Sequence, residues 1–134
     1  ISEYLAKYDY PWQALSGIKE LILALGESLD KNEYNEISEN VWVHKTAKVY
    51  PSAYLGAPCI IGPRTEVRHC AFIRADALIG EGVVVGNSTE LKNVILFALA
   101  ALTLARCGQR TIEIRAATFN VRFDSEADAE TIMV

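Results

Sequence analysis

An apolar residue recurs every six positions through the middle of this chain. Counting by six from residue 43 to residue 97 meets only Val, Ile, Leu or Phe, at Val43, Val49, Leu55, Ile61, Val67, Ile73, Ile79, Val85, Leu91 and Phe97. A helix cannot produce this period, and a simple strand alternates every two residues. Short strands joined by turns can produce it, because three hexads make one triangular coil and successive coils stack at about 4.8 Å. The apolar side chains then point into the prism.

The residues that flank these positions fit the corners of such a coil. The residue two positions earlier is mostly small, and glycine often follows directly, at Gly56, Gly62, Gly80 and Gly86. The small residue lets the backbone turn, and we expect the glycine to supply a positive φ at the corner. An ordinary two-sheet β-protein would instead show alternation and irregularly spaced turns. The sequence therefore predicts a mainly β fold, a parallel β-helix over residues 40–97, with the core positions from 49 to 91 buried.

The segment before the repeat has a helical pattern. Residues 1–39 form a predicted helical leader and linker, in which Pro11 suits a first helical turn. Apolar residues recur at spacings of three and four between residues 15 and 29, and Gly26 is placed to weaken or end that helix. The polar residues 30–39 are predicted to be a connection.

The segment after the repeat, residues 98–134, departs from the six-residue period. Its first nine residues favour a helix, and alternating apolar and polar residues at 111–115 and 118–123 favour two strands. A truncated solenoid exposes an open end that needs a cap. This atypical tail is therefore either a cap for the solenoid or a foreign segment.

Composition and charge exclude some classes of partner and indicate a cellular compartment. The formal net charge is −4, and no basic patch indicates nucleic acid or an anionic membrane as a partner. No apolar run reaches the length of a bilayer span, and no secretory leader is recognised. The cysteines, Cys59, Cys70 and Cys107, lack the spacing of metal ligands, so we predict no metal and reduced thiols in the cytoplasm. Cys59 and Cys70 are expected to be small core residues.

Arg74 and Lys92 are the candidate binding residues. Each directly follows a core position, and the two are eighteen residues apart, so they are predicted to lie on the same edge of neighbouring coils. Two like charges at that distance repel each other unless an anion or a carboxylate lies between them. One interpretation is an anion site for a sugar phosphate, and the other is two solvated side chains that lean apart.

A similarity to a known family lies between residues 71 and 93, which read AFIRADALIGEGVVVGNSTELKN. This run resembles the acetyltransferase half of bacterial bifunctional N-acetylglucosamine-1-phosphate uridylyltransferase / glucosamine-1-phosphate acetyltransferase. Residues 1–97 also resemble bacterial proteins described as sugar-nucleotide transferases. The resemblance gives Arg74 the position of the phosphate-binding arginine and Lys92 that of the substrate-binding lysine.

The resemblance carries further expectations. It implies the hexapeptide-repeat left-handed β-helix, acetyl-CoA as cofactor, and a homotrimer with sites between neighbouring prisms. The substrate it implies is a sugar phosphate or a sugar nucleotide of the UDP-N-acetylglucosamine kind. The left-handed sense comes from the resemblance and not from the period, since parallel crossovers are usually right-handed.

One residue expected from that family is missing. The relatives carry a histidine in the coil after NVILF, which the resemblance implies is the general base that deprotonates the attacking amine. Here an apolar run follows Phe97, and the only histidines of the sequence are His44 and His69. Two hypotheses follow. The chain is a sugar-phosphate or sugar-nucleotide acyltransferase with impaired catalysis and unassigned catalytic residues, or it is a β-helix module that trimerises or binds an anionic sugar without turnover.

Overall fold

The computed structural model describes residues 1–98, which contain helices followed by stacked short strands. Helix α1 is Ser2–Leu5, a 3-10 helix covers Pro11–Gly17, and helix α2 is Ile18–Ser28. The strands are β1 (Tyr34–Ser38), β2 (Val41–His44), β3 (Lys48–Val49), β4 (Tyr54–Leu55), β5 (Cys59–Ile61), β6 (Glu66–Val67), β7 (Phe72–Ile73), β8 (Ala77–Ile79), β9 (Val84–Val85), β10 (Glu90–Leu91) and β11 (Val94–Leu96).

The strands from β2 onward visit three sheets in turn. Sheet A has the order β1-β2-β5-β8-β11, sheet B the order β3-β6-β9, and sheet C the order β4-β7-β10. All pairs are parallel except that of β1 with β2. A strand pairs with the strand three places later, as in a coil that turns three corners. The predicted parallel β-helix is confirmed, whereas its left-handed sense stays a prediction from the resemblance.

The inward-facing residues form one continuous core. Four of these residues are fully buried, namely Ile61, Val67, Ile73 and Ile79, and Val85 is only 2% exposed. The other three predicted core residues are half-buried and lie on strands at the ends of their sheets: Val49, Leu55 and Leu91. The prediction is therefore confirmed in the middle coils and holds in part at the ends.

The predicted inward position of Phe97 is wrong. Strand β11 pairs with β8 at an offset of seventeen residues, so that Leu96 lies opposite Ile79, and Phe97 is 55% exposed. The cause is the preceding corner, which has the two residues 92–93, whereas the equivalent corner one coil earlier has the three residues 74–76. The apolar series therefore continues through Leu96.

The expected role of the repeat glycines is also wrong. Gly56, Gly62, Gly80 and Gly86 do not have positive φ. Positive φ values fall at the third residue after the five core positions from Ile61 to Val85, and at the second residue after Leu91. Those residues are Arg64, Cys70, Asp76, Gly82, Ser88 and Asn93, and Asn40 before β2 also has a positive φ. Gly56 and Gly62 are needed instead for close stacking of the coils, since a Cβ on Gly62 would lie 2.6 Å from the carbonyl carbon of Gly80 and a Cβ on Gly56 would collide with the Arg74 backbone. A Cβ on Gly86 would meet only a side-chain oxygen, that of Thr89, at 3.1 Å.

Thr65 shows how a polar side chain is accommodated inside the prism. Its hydroxyl donates a hydrogen bond to the Gly80 carbonyl at 2.6 Å and accepts one from the Val83 N–H at 3.1 Å. Both partners belong to the next coil. Because both capacities of the hydroxyl are used in this way, its burial carries little desolvation cost.

Helix α2 covers the outer face of sheet A. Ile18 and Ile22 pack on the outward residues of successive strands, which are Trp42, Ile60, Leu78 and Ile95. Gly26 lies inside the helix directly against the Trp42 ring, where a Cβ would collide, so it does not end the helix as expected. The polar connection is also partly a strand, because β1 pairs antiparallel with β2.

Two further predictions concern the segment after the β-helix and the membrane. The helix and strands predicted within 98–134 lie, apart from Ala98, outside the described residues. Across residues 1–98, no helix is both long enough and apolar enough to cross a membrane.

Candidate functional site

The corner that follows each strand of sheet C brings the predicted binding residues together. The Arg74 N–H donates to the Leu91 carbonyl at 2.8 Å, and Ile73 lies opposite Leu91 in the ladder. Arg74 and Lys92 therefore follow paired residues and occupy the same corner on successive coils. Both side chains are exposed.

Gly56 occupies that corner on the first coil and is buried. Its N–H donates to the Ile73 carbonyl at 2.7 Å. A Cβ at this position would collide with the backbone carbonyl oxygen of Arg74. Glycine at this position therefore lets the backbone of Arg74 stack closely on the coil below. The corner carries cationic side chains on the other two coils, at Arg74 and Lys92.

The structure adds Glu90 to this corner, which the sequence reasoning missed. The Arg74 Nη1 donates to the Glu90 Oε1 at 3.1 Å, and both side chains are about half exposed. Glu90 lies two residues before Lys92 and faces outward from β10. The signal was present, because the residue before each core position points outward and Glu90 lies one coil above the strand that leads into Arg74. An anion or a carboxylate would relieve the repulsion between Arg74 and Lys92. In the structure a carboxylate, that of Glu90, lies beside Arg74.

The histidines lie on other corners. His44 ends β2 of sheet A, where its Nδ1 accepts the Thr46 N–H at 3.0 Å and its ring meets Tyr34 edge-on at 4.8 Å between centroids. His69 lies after β6 of sheet B, with its Nδ1 3.0 Å from the Ser52 hydroxyl oxygen. Within this chain, neither imidazole shares the corner of Arg74 and Lys92.

The cysteines differ from each other in their surroundings. Cys59 is fully buried in the core, as predicted, and burial raises the pKa of its thiol to about 12. A thiol with such a pKa is a poor nucleophile at neutral pH. The core prediction for Cys70 is wrong, because Cys70 is exposed at a turn with φ of 58°. Residues 1–98 contain no group of His, Cys, Asp and Glu side chains that would hold a metal ion.

The apolar cavity beside helix α2 and sheet A does not fit acetyl-CoA. Its volume is about 300 Å³, and Leu25, Leu78 and Phe97 are in its lining. Within residues 1–98, its lining has no cationic side chain for the phosphates of coenzyme A, and its one ionised side chain, Glu81, is paired with Arg64. The cavity also borders sheet A, whereas Arg74 and Lys92 follow strands of sheet C.

Comparisons of the chain with protein-family models, curated proteins and solved structures find no match. The geometry of the corner and the resemblance in residues 71–93 are therefore the basis for a proposal about function.

Proposed function

We propose that this chain is a sugar-phosphate or sugar-nucleotide transferase of the acyltransferase type, in which the anion-binding corner is kept and acyl transfer is impaired. The observation that carries the proposal is the placement of Arg74 and Lys92 on successive coils of one corner. The guanidinium presents a planar fork of donors, and the ammonium adds a compact second charge. Together they match a phosphate dianion.

Glu90 does not prevent such binding. A solvent-exposed ion pair is typically worth about 0–1 kcal/mol, so the half-exposed pair of Arg74 and Glu90 costs little to open. A phosphate that bridges Arg74 and Lys92 would replace one carboxylate contact with charge-assisted hydrogen bonds to two cations. Arg74 and Lys92 outnumber Glu90, although Asp76 at the end of the same corner adds a second carboxylate.

The remaining features of the proposal come from the resemblance. Acetyl-CoA would supply the acyl group, and three copies would form a homotrimer. The cytoplasmic location, in contrast, is proposed from the number and spacing of the cysteines. The family's general base has no counterpart in the sequence after Phe97, which lacks histidine. Because a positioned base contributes about 10²–10⁴-fold to rate, its loss would leave binding largely intact and transfer slow.

Replacement of either cation is expected to weaken sugar-phosphate binding. Arg74→Ala and Lys92→Ala should each lower the affinity for glucosamine 1-phosphate by roughly tenfold or more in calorimetry, since hydrogen bonds to charged groups are worth about 1.5–3 kcal/mol. The loss should shrink at high salt, because exposed charges are screened. Arg68→Ala is the matched control, since Arg68 also follows a core residue and pairs with a glutamate, Glu66, at 3.1 Å. Equal affinities in all variants would place the site elsewhere.

Acyl transfer is expected to be slow in a thiol-release assay with acetyl-CoA and amino-sugar phosphates. The expected rate is about 10²–10⁴-fold below that of an enzyme with a positioned base. Ordinary turnover that disappears in His44→Ala or Cys107→Ala would contradict the argument and would identify the replacement base. Turnover that survives both changes would also contradict it.

A second candidate function is a β-helix module that trimerises or binds an anionic sugar without turnover. The pairing of Arg74 with Glu90 favours the form of this candidate that only assembles, because the carboxylate already compensates the charge that a bound anion would otherwise compensate. Light scattering that shows a trimer, together with phosphate affinities that ignore Arg74→Ala, would select assembly alone.

A further inference from the structure

The outer face of sheet C carries an exposed aromatic pair beside the proposed anion site. Tyr54 and Phe72 lie opposite each other on β4 and β7, with ring centroids 5.1 Å apart and planes inclined by 50°. Tyr54 is 56% exposed and Phe72 is 44% exposed. Two aromatic rings that support each other in solvent offer a preformed apolar surface of fixed geometry.

The guanidinium of Arg74 lies on the same face. Phe72 and Arg74 are two residues apart around the inward Ile73, so both point outward. Glu90 lies opposite Phe72 in the ladder, one coil above it, and receives the hydrogen bond from Arg74. The ion pair therefore holds the guanidinium beside Glu90, the residue one coil above Phe72, on the same outer face as the Phe72 ring.

The outer faces of the other two sheets are arranged differently. Helix α2 covers the outward residues of sheet A. The outward strand residues of sheet B are Lys48, Glu66 and Val84. The Tyr50 ring at the sheet B corner is half-buried, with the Lys48 ammonium 4.5 Å from its centroid and the His69 ring 4.3 Å from it. Within the described β-helix, sheet C differs in that its exposed aromatic rings lie on paired strands next to a corner with two cations.

We infer that Phe72, supported by Tyr54, is a stacking subsite for the pyranose ring of a sugar phosphate whose phosphate is bound by Arg74 and Lys92. This inference rests on the proposed function and adds the recognition of the sugar itself. A pyranose has an apolar face of C–H groups that packs on an aromatic ring, and its phosphate is attached at the ring edge. The rings of Tyr54 and Phe72 adjoin Arg74 and Lys92 on this surface, with the Glu90 carboxylate one coil above Phe72. A sugar phosphate would place its ring on Phe72 and its phosphate in the position that Glu90 takes beside Arg74.

The test separates the ring from the phosphate by comparing Phe72→Ala, Phe72→Tyr and Arg74→Ala in calorimetry. The ligands are glucosamine 1-phosphate, inorganic phosphate and UMP. Phe72→Ala is expected to lower the affinity for glucosamine 1-phosphate by about three- to tenfold, as stacking contacts of this kind allow. It should leave inorganic phosphate binding unchanged. Phe72→Tyr should retain sugar-phosphate binding. Arg74→Ala should weaken the binding of glucosamine 1-phosphate and of inorganic phosphate.

Matched controls and opposing outcomes are available. Val84→Ala removes an exposed apolar side chain from sheet B and is expected to change neither affinity. If Arg74→Ala weakens binding while Phe72→Ala does not, the stacking subsite is wrong and the proposed function stands. If neither Phe72→Ala nor Arg74→Ala changes the affinity, the stacking subsite and the proposed function are both wrong. If Phe72→Ala weakens the binding of UMP alone, the face binds a nucleotide base and the inference is wrong. If Phe72→Ala changes the oligomeric state without a selective effect on glucosamine 1-phosphate, the face contacts another copy of the chain and the inference is also wrong.

Discussion

Val85→Asp is expected to unfold the β-helix, whereas Val84→Asp on the same strand is expected to leave it folded. Val85 is 2% exposed inside the prism and Val84 is 54% exposed outside it. A buried, unpaired carboxylate is strongly unfavourable, so the free energy of unfolding should fall by about 3–5 kcal/mol at neutral pH. Val84→Asp places the same group in water, where surface changes usually alter stability by about 0.5 kcal/mol or less.

Urea unfolding followed by circular dichroism measures both variants. The penalty of Val85→Asp should diminish as the pH falls, because burial raises the pKa of the new carboxyl and protonation neutralises it in the folded state. Similar transition midpoints for Val85→Asp and Val84→Asp would contradict the inward and outward assignment of this strand.

Gly62→Ala is expected to destabilise the fold although alanine is the smallest addition. The new Cβ would lie 2.6 Å and 2.7 Å from the carbonyl carbon and oxygen of Gly80, and 2.9 Å from the Glu81 nitrogen. These are backbone atoms that cannot rotate away, so the coils must separate, at a cost of about 1–3 kcal/mol. Thermal unfolding measures the effect.

Gly86→Ala is the control for this substitution, because both glycines follow a core residue. Its Cβ would meet the Thr89 side-chain oxygen at 3.1 Å, and its φ is not positive. We expect a change near zero, or a small gain from the lower entropy of the unfolded chain. A larger loss for Gly86→Ala than for Gly62→Ala would contradict the close stacking of coils as the reason for Gly62.

The sequence was most informative where burial selects the residue type. The inward positions of the middle coils must be apolar and of similar size, so the six-residue period located Ile61, Val67, Ile73 and Ile79 correctly. The same count failed at the short corner 92–93, because Leu96 and Phe97 are both apolar. A one-residue change of register is invisible to a pattern that either residue satisfies.

The corners were harder to predict, because they are defined by backbone conformation. Positive φ at Arg64, Cys70 and Ser88 occurs without a residue type that favours it, whereas Asp76, Gly82 and Asn93 are of types that adopt it readily. The candidate site shows the same division. Arg74 and Lys92 followed from their spacing, whereas the ion pair with Glu90 depends on side-chain direction across two coils.

The contact of helix α2 with sheet A has a consequence for how the protein unfolds. In a solenoid each coil touches only its neighbours, so the ends can fray independently of the middle. The eleven residues of α2 span about 16 Å, and four stacked strands span about 14 Å, so one helix can reach every rung of the sheet. Its apolar side belongs to one cluster with Trp42 on the first coil and Leu78 on the third, with Ile95 packed against it. The helix therefore links coils that are not adjacent, and hydrogen exchange in the β-helix should be governed by a single cooperative opening.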